Sequence, residues 1–346
     1  MKALTFEGPG SRVWHDVPDP TVVDPEDAVV RVDAVTICGT DLHILKGDVP
    51  EVTQGRVLGH EAVGTVLDVG SQVSGVSVGE RVLVSCVAGC GRCIYCRRNM
   101  DGQCLNGGGW TLGHLVDGTQ AEQVRVPFAN RGLHRLPDTV SDEQALLLAD
   151  ILPTAYEVGV LNGRVSPGAD VAIVGAGPIG LAAILAAQLL APARIVVVDP
   201  AEGRREAAVR LGAHTVVADR DAALEAAVAQ TDGLGFDTVI EAVGIPETFE
   251  LSAEMVRPGG TVANVGVHGS PVSLHLEKLW IRDVTITTGL VDTSSTPMLL
   301  RLLADGRLQT EGLVTHRFGL DEIQDAYDIF SRPQDSGALK VALFRQ

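Results

Sequence analysis

The rhythm of apolar and polar positions changes twice along the chain. Through about residue 125 the apolar residues come in short runs broken by Gly and Pro. Ala28–Ala34, Ala62–Val69 and Arg81–Ser85 are examples, and they predict a β-rich unit of barrel or sandwich type. Around Asp142 the pattern lengthens into SDEQALLLADILPTAYEVGVL, which reads as a helical run with acidic residues in its first turn. From Asp170 strand-like runs alternate with helix-like ones. The strands are expected over Val171–Val174, Ile195–Val198, Thr215–Val217, Thr238–Ile240, Thr261–Val265 and Thr285–Thr288. The helices between them are expected over Ile179–Leu190, Ala201–Leu211, Ala222–Ala229 and Glu247–Val256. Strands alternating with helices in this way predict an α/β fold with a doubly wound parallel sheet. Two further helices (Met298–Ala304, Glu322–Phe330) and a strand (Leu339–Leu343) are expected to return to the first domain. The resulting division is 1–152 with 292–346 as one domain and 153–291 as the other.

Composition narrows the class. At 346 residues, 45% hydrophobic and 21% charged, the chain suits two packed globular domains. Its net charge of −17 repels nucleic acid and acidic membranes, so neither is an expected partner. The uncharged stretch Val171–Ala191 is long enough to span a bilayer. Gly175, Gly177, Pro178 and Gly180 interrupt it, which favours a buried strand, a tight turn and a buried helix of a soluble protein. The first residues, MKALTFE, show no signal-peptide pattern, and the cysteines cluster as metal ligands do, so a reducing cytoplasm is expected.

Gly175-Ala176-Gly177-Pro178-Ile179-Gly180 is a G-x-G-x-x-G motif placed between a predicted strand and a predicted helix. Its glycines permit the turn, the approach of a pyrophosphate and close helix packing, and the helix N-terminus faces the phosphates. Asp199 ends the next strand, where a carboxylate accepts hydrogen bonds from ribose hydroxyls and repels a 2′-phosphate. NAD is therefore favoured over NADP, with Arg204 and Arg205 as the reservation. Gly244, Val265-Gly266 and Gly289-Leu290 end further strands, where doubly wound sheets bind ligands.

Cys90, Cys93, Cys96 and Cys104 present four thiolates in a glycine-rich loop, which suits a closed tetrahedral zinc site. The x7 spacing before Cys104 and the absence of a following proline set it apart from ferredoxin-type iron–sulfur runs. Cys38, His60 and Glu61 offer a thiolate, an imidazole and a carboxylate in neighbouring segments. Asp150 is an acid in an apolar run, and metal ligation would give its burial a reason. Taken singly, each of these is more often a structural residue than a ligand.

The order of these motifs, Cys38-Gly-Thr-Asp-x-His43, Gly59-His60-Glu61-x-x-Gly64, the cysteine lobe, Gly175–Gly180 and Asp199, resembles the zinc-containing medium-chain dehydrogenase/reductase family along the whole chain. The resemblance implies a GroES-like catalytic domain and a Rossmann NAD-binding domain with a cleft between them. It implies a catalytic zinc on Cys38, His60 and Asp150, Glu61 as an exchangeable ligand, and a structural zinc on the four cysteines. Asp150 in this role is similar to the bacterial secondary-alcohol branch, some members of which lack the cysteine lobe.

The implied reaction is reversible hydride transfer between an alcohol and NAD, with Thr40 and His43 relaying the alcohol proton. Thr154 is expected near the nicotinamide, and Trp110 by resemblance in a substrate pocket. Cys86 is a candidate for the same pocket, with an inert buried thiol as the alternative. His15, His114, His134, His214, His268, His275 and His316 are read as structural or surface residues. The expected partner is a small alcohol, ketone or aldehyde, and the resemblance implies a homotetramer or homodimer. Polyol or amino-alcohol dehydrogenases of sorbitol or threonine type are the alternatives within the family. An NAD-binding redox sensor without turnover is the alternative from a different class.

Overall fold

Strand Ala28–Thr36 organises the first unit, because it is paired along both edges. Ala62–Val69 lies antiparallel on one edge, while Gln123–Val126 and Lys340–Phe344 share the other. Arg81–Val84 and Leu133–Arg135 extend the sheet beyond Ala62–Val69, and Val314–Gly319 runs parallel to Lys340–Phe344 at the far end. The register is specific: Val35 faces Ala62 and Thr36 faces Ala342. Cys38 and the His60-Glu61 pair therefore leave the sheet one or two residues beyond these pairings, at the end where Lys340 begins its strand opposite Val314.

The computed structural model describes residues 1–346. One unit comprises Met1–Asp150, Asp292–Arg307 and Val314–Gln346; the other comprises Ile151–Val291 and Leu308–Leu313. Leu4, Val30, Ile37, Leu58 and Val82 belong to the core of the first. Helix Ile323–Phe330 closes over it with Ile323, Ala326, Tyr327 and Phe330 buried, the spacing of one helical face. Burying side chains of this size contributes about 1.5–3 kcal/mol each. The C-terminal segment thus helps to complete a domain that begins at residue 1.

In the second unit six parallel strands lie in the order Thr215–Val217, Arg194–Val198, Asp170–Val174, Phe236–Glu241, Val256–Asn264, Thr285–Thr288. Numbered by appearance this is 3-2-1-4-5-6, the Rossmann order, as the alternation of strands and helices predicted. Val198, Val174, Glu241, Asn264 and Thr288 are mutually in register. The uncharged stretch from Val171 resolves into strand Asp170–Val174 and helix Pro178–Gln188, and no helix of the chain is long and apolar enough to cross a membrane.

One expectation needs correction. The run from Asp142 is not a continuous helix. Ser141 caps a short helix, Asp142–Leu146, by accepting a hydrogen bond from the Gln144 amide at 3.3 Å. The chain turns over 147–150, restarts as Ile151–Thr154 and widens into a π-helical segment, Ala155–Leu161. Pro153 has no N–H to donate, so it fits the first turn of a new helix and would break an old one. Strands Lys2–Gly8, Ser11–Asp16 and Val314–Gly319, and helix Gly39–Lys46, were not anticipated.

His134, paired with Leu83 across the sheet, is held neutral by its enclosure, with its pKa lowered to about 4. The unfolded chain therefore binds a proton that the folded chain refuses between roughly pH 6.5 and 4. Stability from this residue is full above pH 6.5 and falls as the pH drops, by up to about 3 kcal/mol. His134 Nε2 lies 3.1 Å from Ser85 Oγ, and His134→Gln, which keeps a polar partner for that hydroxyl, should flatten the pH dependence of the urea midpoint across that window. An unchanged slope would show that His134 does not govern it.

Candidate active site

Two clusters of metal-ligand type are formed in the first unit, and each set of donor atoms lies within 4.8 Å of one another. The first joins Cys38, His60, Glu61 and Asp150, all buried. Cys38 stands at the N-cap of helix Gly39–Lys46, where Asp41 Oδ2 accepts its backbone N–H at 2.9 Å. Asp150 follows the turn after Asp142–Leu146 and reaches Cys38 Sγ at 3.5 Å and His60 Nε2 at 3.4 Å. A tetrahedral ion with bonds of about 2.0–2.3 Å sets its ligands about 3.3–3.8 Å apart, so these separations and this mixed S, N, O set fit zinc.

The electrostatics favour the same conclusion. Burial pushes the Cys38 thiol up, and the charges of Asp150 and Glu61 push it further. Burial opposes charge on His60, yet its contacts with Asp150 and Cys38 outweigh this and hold its pKa well above the ordinary value. Three acidic groups have been gathered out of water, and a bound divalent cation would replace the protons that these shifts hold on Cys38 and His60. His60 Nδ1 lies 4.0 Å from Asp41 Oδ1, and neither atom has a hydrogen-bond partner. Nε2, 3.4 Å from Asp150 Oδ2, is the nitrogen that faces the cluster, with the Asp41 carboxylate on the other side of the ring.

Glu61 is engaged elsewhere: Lys340 Nζ donates to its two oxygens at 2.7 and 3.0 Å. Both side chains are fully buried. Burial opposes charge on the lysine, but Glu61, Cys38 and Asp150 raise its pKa. Lys340 was missed in the sequence, although a lone charge in ALKVAL was a signal that it had a buried partner.

Thr40 Oγ1 lies 3.7 Å from Cys38 Sγ, and His43 Nδ1 lies 2.8 Å from Asp48 Oδ2 on the partly exposed side of the same helix. Trp110 meets the His60 ring edge-on at 6.2 Å. His114, assigned from sequence to the structural residues, stacks on Trp110 at 4.3 Å. Burial drives the Cys86 thiol pKa well up, with Asp150 contributing, so an inert thiol is the state it favours.

The second cluster is the cysteine lobe. Cys90 and Cys96 sulfurs stand 3.9 Å apart, and the Cys90 and Cys96 amides donate to Cys104 and Cys93 sulfurs at 3.4 Å. Amides of Cys96 and Leu105 lower the Cys93 pKa to about 6, whereas burial pushes the Cys96 thiol up, a shift that a cation held by the four sulfurs would offset. None of the six cysteines is in a disulfide. Four sulfurs at these separations fit a closed zinc site.

In the second unit the five strand ends in register place Gly175, Asp199, Val265 and Gly289 along one carboxyl edge. A Cβ on Gly180 would lie 1.8 Å from Gly175 O, so the helix packs where only glycine fits. At Gly177 nothing lies within 4 Å, which leaves the backbone open to a ligand. Pro178 and Ile179 open the helix that follows. Asp199 accepts the Ala176 and Ala201 amides at 2.8 Å each. Arg204 lies 3.9 Å from its carboxylate, while Arg205 is committed to the carbonyls of Asp199 and Pro200. Gly244 and Gly266 meet each other, and Leu290 is exposed just beyond the edge strand. Thr154 ends the short helix before the π-helical segment.

Comparisons with known proteins agree with this arrangement. Residues 24–138 match the alcohol dehydrogenase GroES-like domain, and residues 178–305 match the zinc-binding dehydrogenase domain. An alcohol dehydrogenase of Cupriavidus necator is 37% identical, over 99% of this chain and 98% of that protein. The solved zinc-dependent alcohol dehydrogenase 2 from Streptococcus pneumonia, in its apo form, is 47% identical with a TM-score of 0.96, over 100% and 99% of the two chains. An alcohol dehydrogenase from Thermus sp. ATN1 is 40% identical with a TM-score of 0.92, over 100% of both.

Lys340→Met should leave Glu61 buried without its cation and cost about 3–5 kcal/mol of unfolding free energy, measured by denaturant titration of chelator-treated protein. Adding Glu61→Gln should recover most of that loss. A single variant as stable as the parent would show that the pair carries no such weight.

Proposed function

Because the chain belongs to the family of zinc-binding alcohol dehydrogenases, we propose that it transfers a hydride reversibly between a primary or secondary alcohol and NAD. The buried Cys38, His60, Glu61 and Asp150 cluster carries this reading. Cys38, His60 and Asp150 would hold the catalytic zinc, with Glu61 as an exchangeable donor restrained by Lys340. Cys90, Cys93, Cys96 and Cys104 would hold a structural one. When bound, zinc supplies a Lewis acid for the substrate oxygen, and the nicotinamide supplies the redox chemistry.

The chain's own groups handle the proton. Thr40 Oγ1 stands beside the ligand Cys38 and takes it from the alcohol while giving up its own hydroxyl proton along the relay to His43. His43, one turn on and partly exposed, hands it to water, with Asp48 fixing Nδ1 so that Nε2 does the transfer. Trp110 and the stacked His114 form an aromatic wall beside His60 that limits what can approach the carbinol. In the dinucleotide unit the Gly175–Gly180 turn binds pyrophosphate and Asp199 binds the adenosine ribose. Arg205 is occupied with carbonyls, and Arg204 is drawn to Asp199, which supports NAD over NADP. Thr154, Gly244, Val265, Gly266, Gly289 and Leu290 line the remainder of the cofactor site.

The division into a catalytic domain, 1–152 with 292–346, and an NAD-binding domain, 153–291, fits these roles. Six free cysteines suit a reducing cytoplasm. A homodimer or homotetramer is supported by the edge strand Thr285–Thr288 and by the exposed Leu276, Trp280 and Ile281 before it, at 60%, 75% and 69% exposure.

Metal analysis should find two zinc ions per chain, with NAD-linked oxidation of a secondary alcohol series on the same sample. Cys38→Ala and Asp150→Ala should each retain one zinc and lose more activity than the roughly 10–100-fold typical of changes around metal ligands. Asp199→Gly should narrow the preference for NAD over NADP. Two zinc ions without turnover would favour a sensor, and equal use of NAD and NADP by the parent would remove the role given to Asp199. Sedimentation should show a dimer or tetramer that Trp280→Arg shifts to smaller species; a monomeric parent would exclude the proposed assembly.

A further inference from the structure

Glu241 ends the strand Phe236–Glu241, near the middle of the dinucleotide sheet, and is completely buried. The other residues in the same row of the sheet, Val198, Val174, Asn264 and Thr288, carry no charge, so the fold does not itself demand one at this level. The carboxylate is extensively engaged. Its Oε1 accepts the amides of Val243 and Gly244 at 2.9 Å each and the Thr248 hydroxyl at 2.7 Å. The backbone oxygen of the same residue accepts the amides of Val265 and Gly266 at 2.8 and 3.1 Å. One residue thus gathers the amides of two separate loops, both at the carboxyl edge of the sheet.

The loops are pressed together around it. A Cβ on Gly266 would lie 2.3 Å from Gly244 N and 2.5 Å from Glu241 Oε2. One on Gly244, at φ +90°, would lie 2.2 Å from Val267 O. Oε2 itself has no hydrogen bond; His268 Nε2 stands 3.6 Å away and is drawn to Asn264 Oδ1 at 2.8 Å. Asn264 in turn donates to Gly266 O at 2.9 Å, and Phe249 meets the His268 ring edge-on. Val243, Ile245 and Val267, next to Gly244 and Gly266 in the chain, are exposed by 43%, 45% and 61%, apolar surface of the kind that receives a flat ring.

A buried carboxylate is costly unless several donors serve it, and hydrogen bonds to a charged acceptor are about twice as strong as neutral ones. Such an arrangement rigidifies what it holds, and a ligand that meets a preformed surface does not have to order it. We propose that Glu241 is a positioning residue for the dinucleotide: it locks loops 242–244 and 265–268 into one ledge on which the cofactor is received. This rests on the reading of the second unit as an NAD-binding domain. His268 and Asn264 belong to the same device as the outer brace of the second loop.

The test uses the full zinc-loaded chain with Glu241→Ala, Glu241→Gln and Thr248→Val. NADH affinity is read by fluorescence titration, and hydrogen exchange is followed in residues 241–249 and 264–270. Glu241→Ala should weaken NADH about tenfold or more and speed exchange in both segments together, leaving the first unit protected. Glu241→Gln, which keeps an acceptor oxygen, should recover affinity to within about threefold of the parent. Thr248→Val removes a single donor and should weaken NADH by a few-fold in a folded protein, which keeps the test open if the alanine variant does not fold. A parent and a folded Glu241→Ala with the same NADH affinity would overturn the proposal, as would an affinity loss accompanied by faster exchange throughout the chain. If the alanine variant fails to fold, unchanged affinity in both remaining variants overturns it. A parent that fails to bind NADH at all would instead remove the NAD reading, and this inference with it.

Discussion

The interaction on which the first unit depends is the unfavourable gathering of Cys38, Glu61 and Asp150 away from water. Three acidic groups within 4.8 Å of an imidazole repel one another and lose hydration together. Lys340 offsets one of them directly through Glu61. Without a metal, protons retained on the Cys38 thiol and the His60 ring offset the rest, and a divalent cation would take their place, so the polypeptide is arranged for a ligand it does not itself supply. Stability and function are coupled here through the same charges.

Backbone register brings those charges together. Val35 faces Ala62 and Thr36 faces Ala342, so three segments far apart in sequence end at one place. A slip of one residue in either pairing would turn Glu61 or Lys340 to the opposite face of the sheet. The apolar faces of Ala28–Thr36 and Lys340–Phe344, almost wholly buried, hold that register. The second unit uses the same economy differently. Its strands end in one row, and the loops that follow are tied by Asp199 to the glycine turn and by Glu241 to each other.

Much of this was legible in the chain. The glycine spacing, the strand before it and the helix after it defined the dinucleotide turn because local backbone geometry leaves few alternatives. The four cysteines could be grouped because all lie within fifteen residues, from Cys90 to Cys104. Cys38, His60, Glu61 and Asp150 are spread over more than a hundred positions, and only their resemblance to a known family joined them. Lys340, the place of Asp41 beside His60, the stacking of His114 on Trp110 and the role of Glu241 are not legible in the sequence. Each depends on which residues face one another across a sheet or between loops.

The sequence by itself determined the class of elements, their order, the glycine turn and the cysteine lobe, since these arise from contacts between near neighbours in the chain. Tertiary structure alone decided which acid meets which base. The last strand could in principle have paired at several registers, and only packing of its buried face selects the one that sets Lys340 against Glu61. Likewise the helical run from Asp142 has a continuous apolar character, but the break that presents Asp150 follows from Pro153 and from the surroundings that accept the turn. Long-range register is fixed by burial summed over a whole domain, and that sum is not written in any local stretch of sequence.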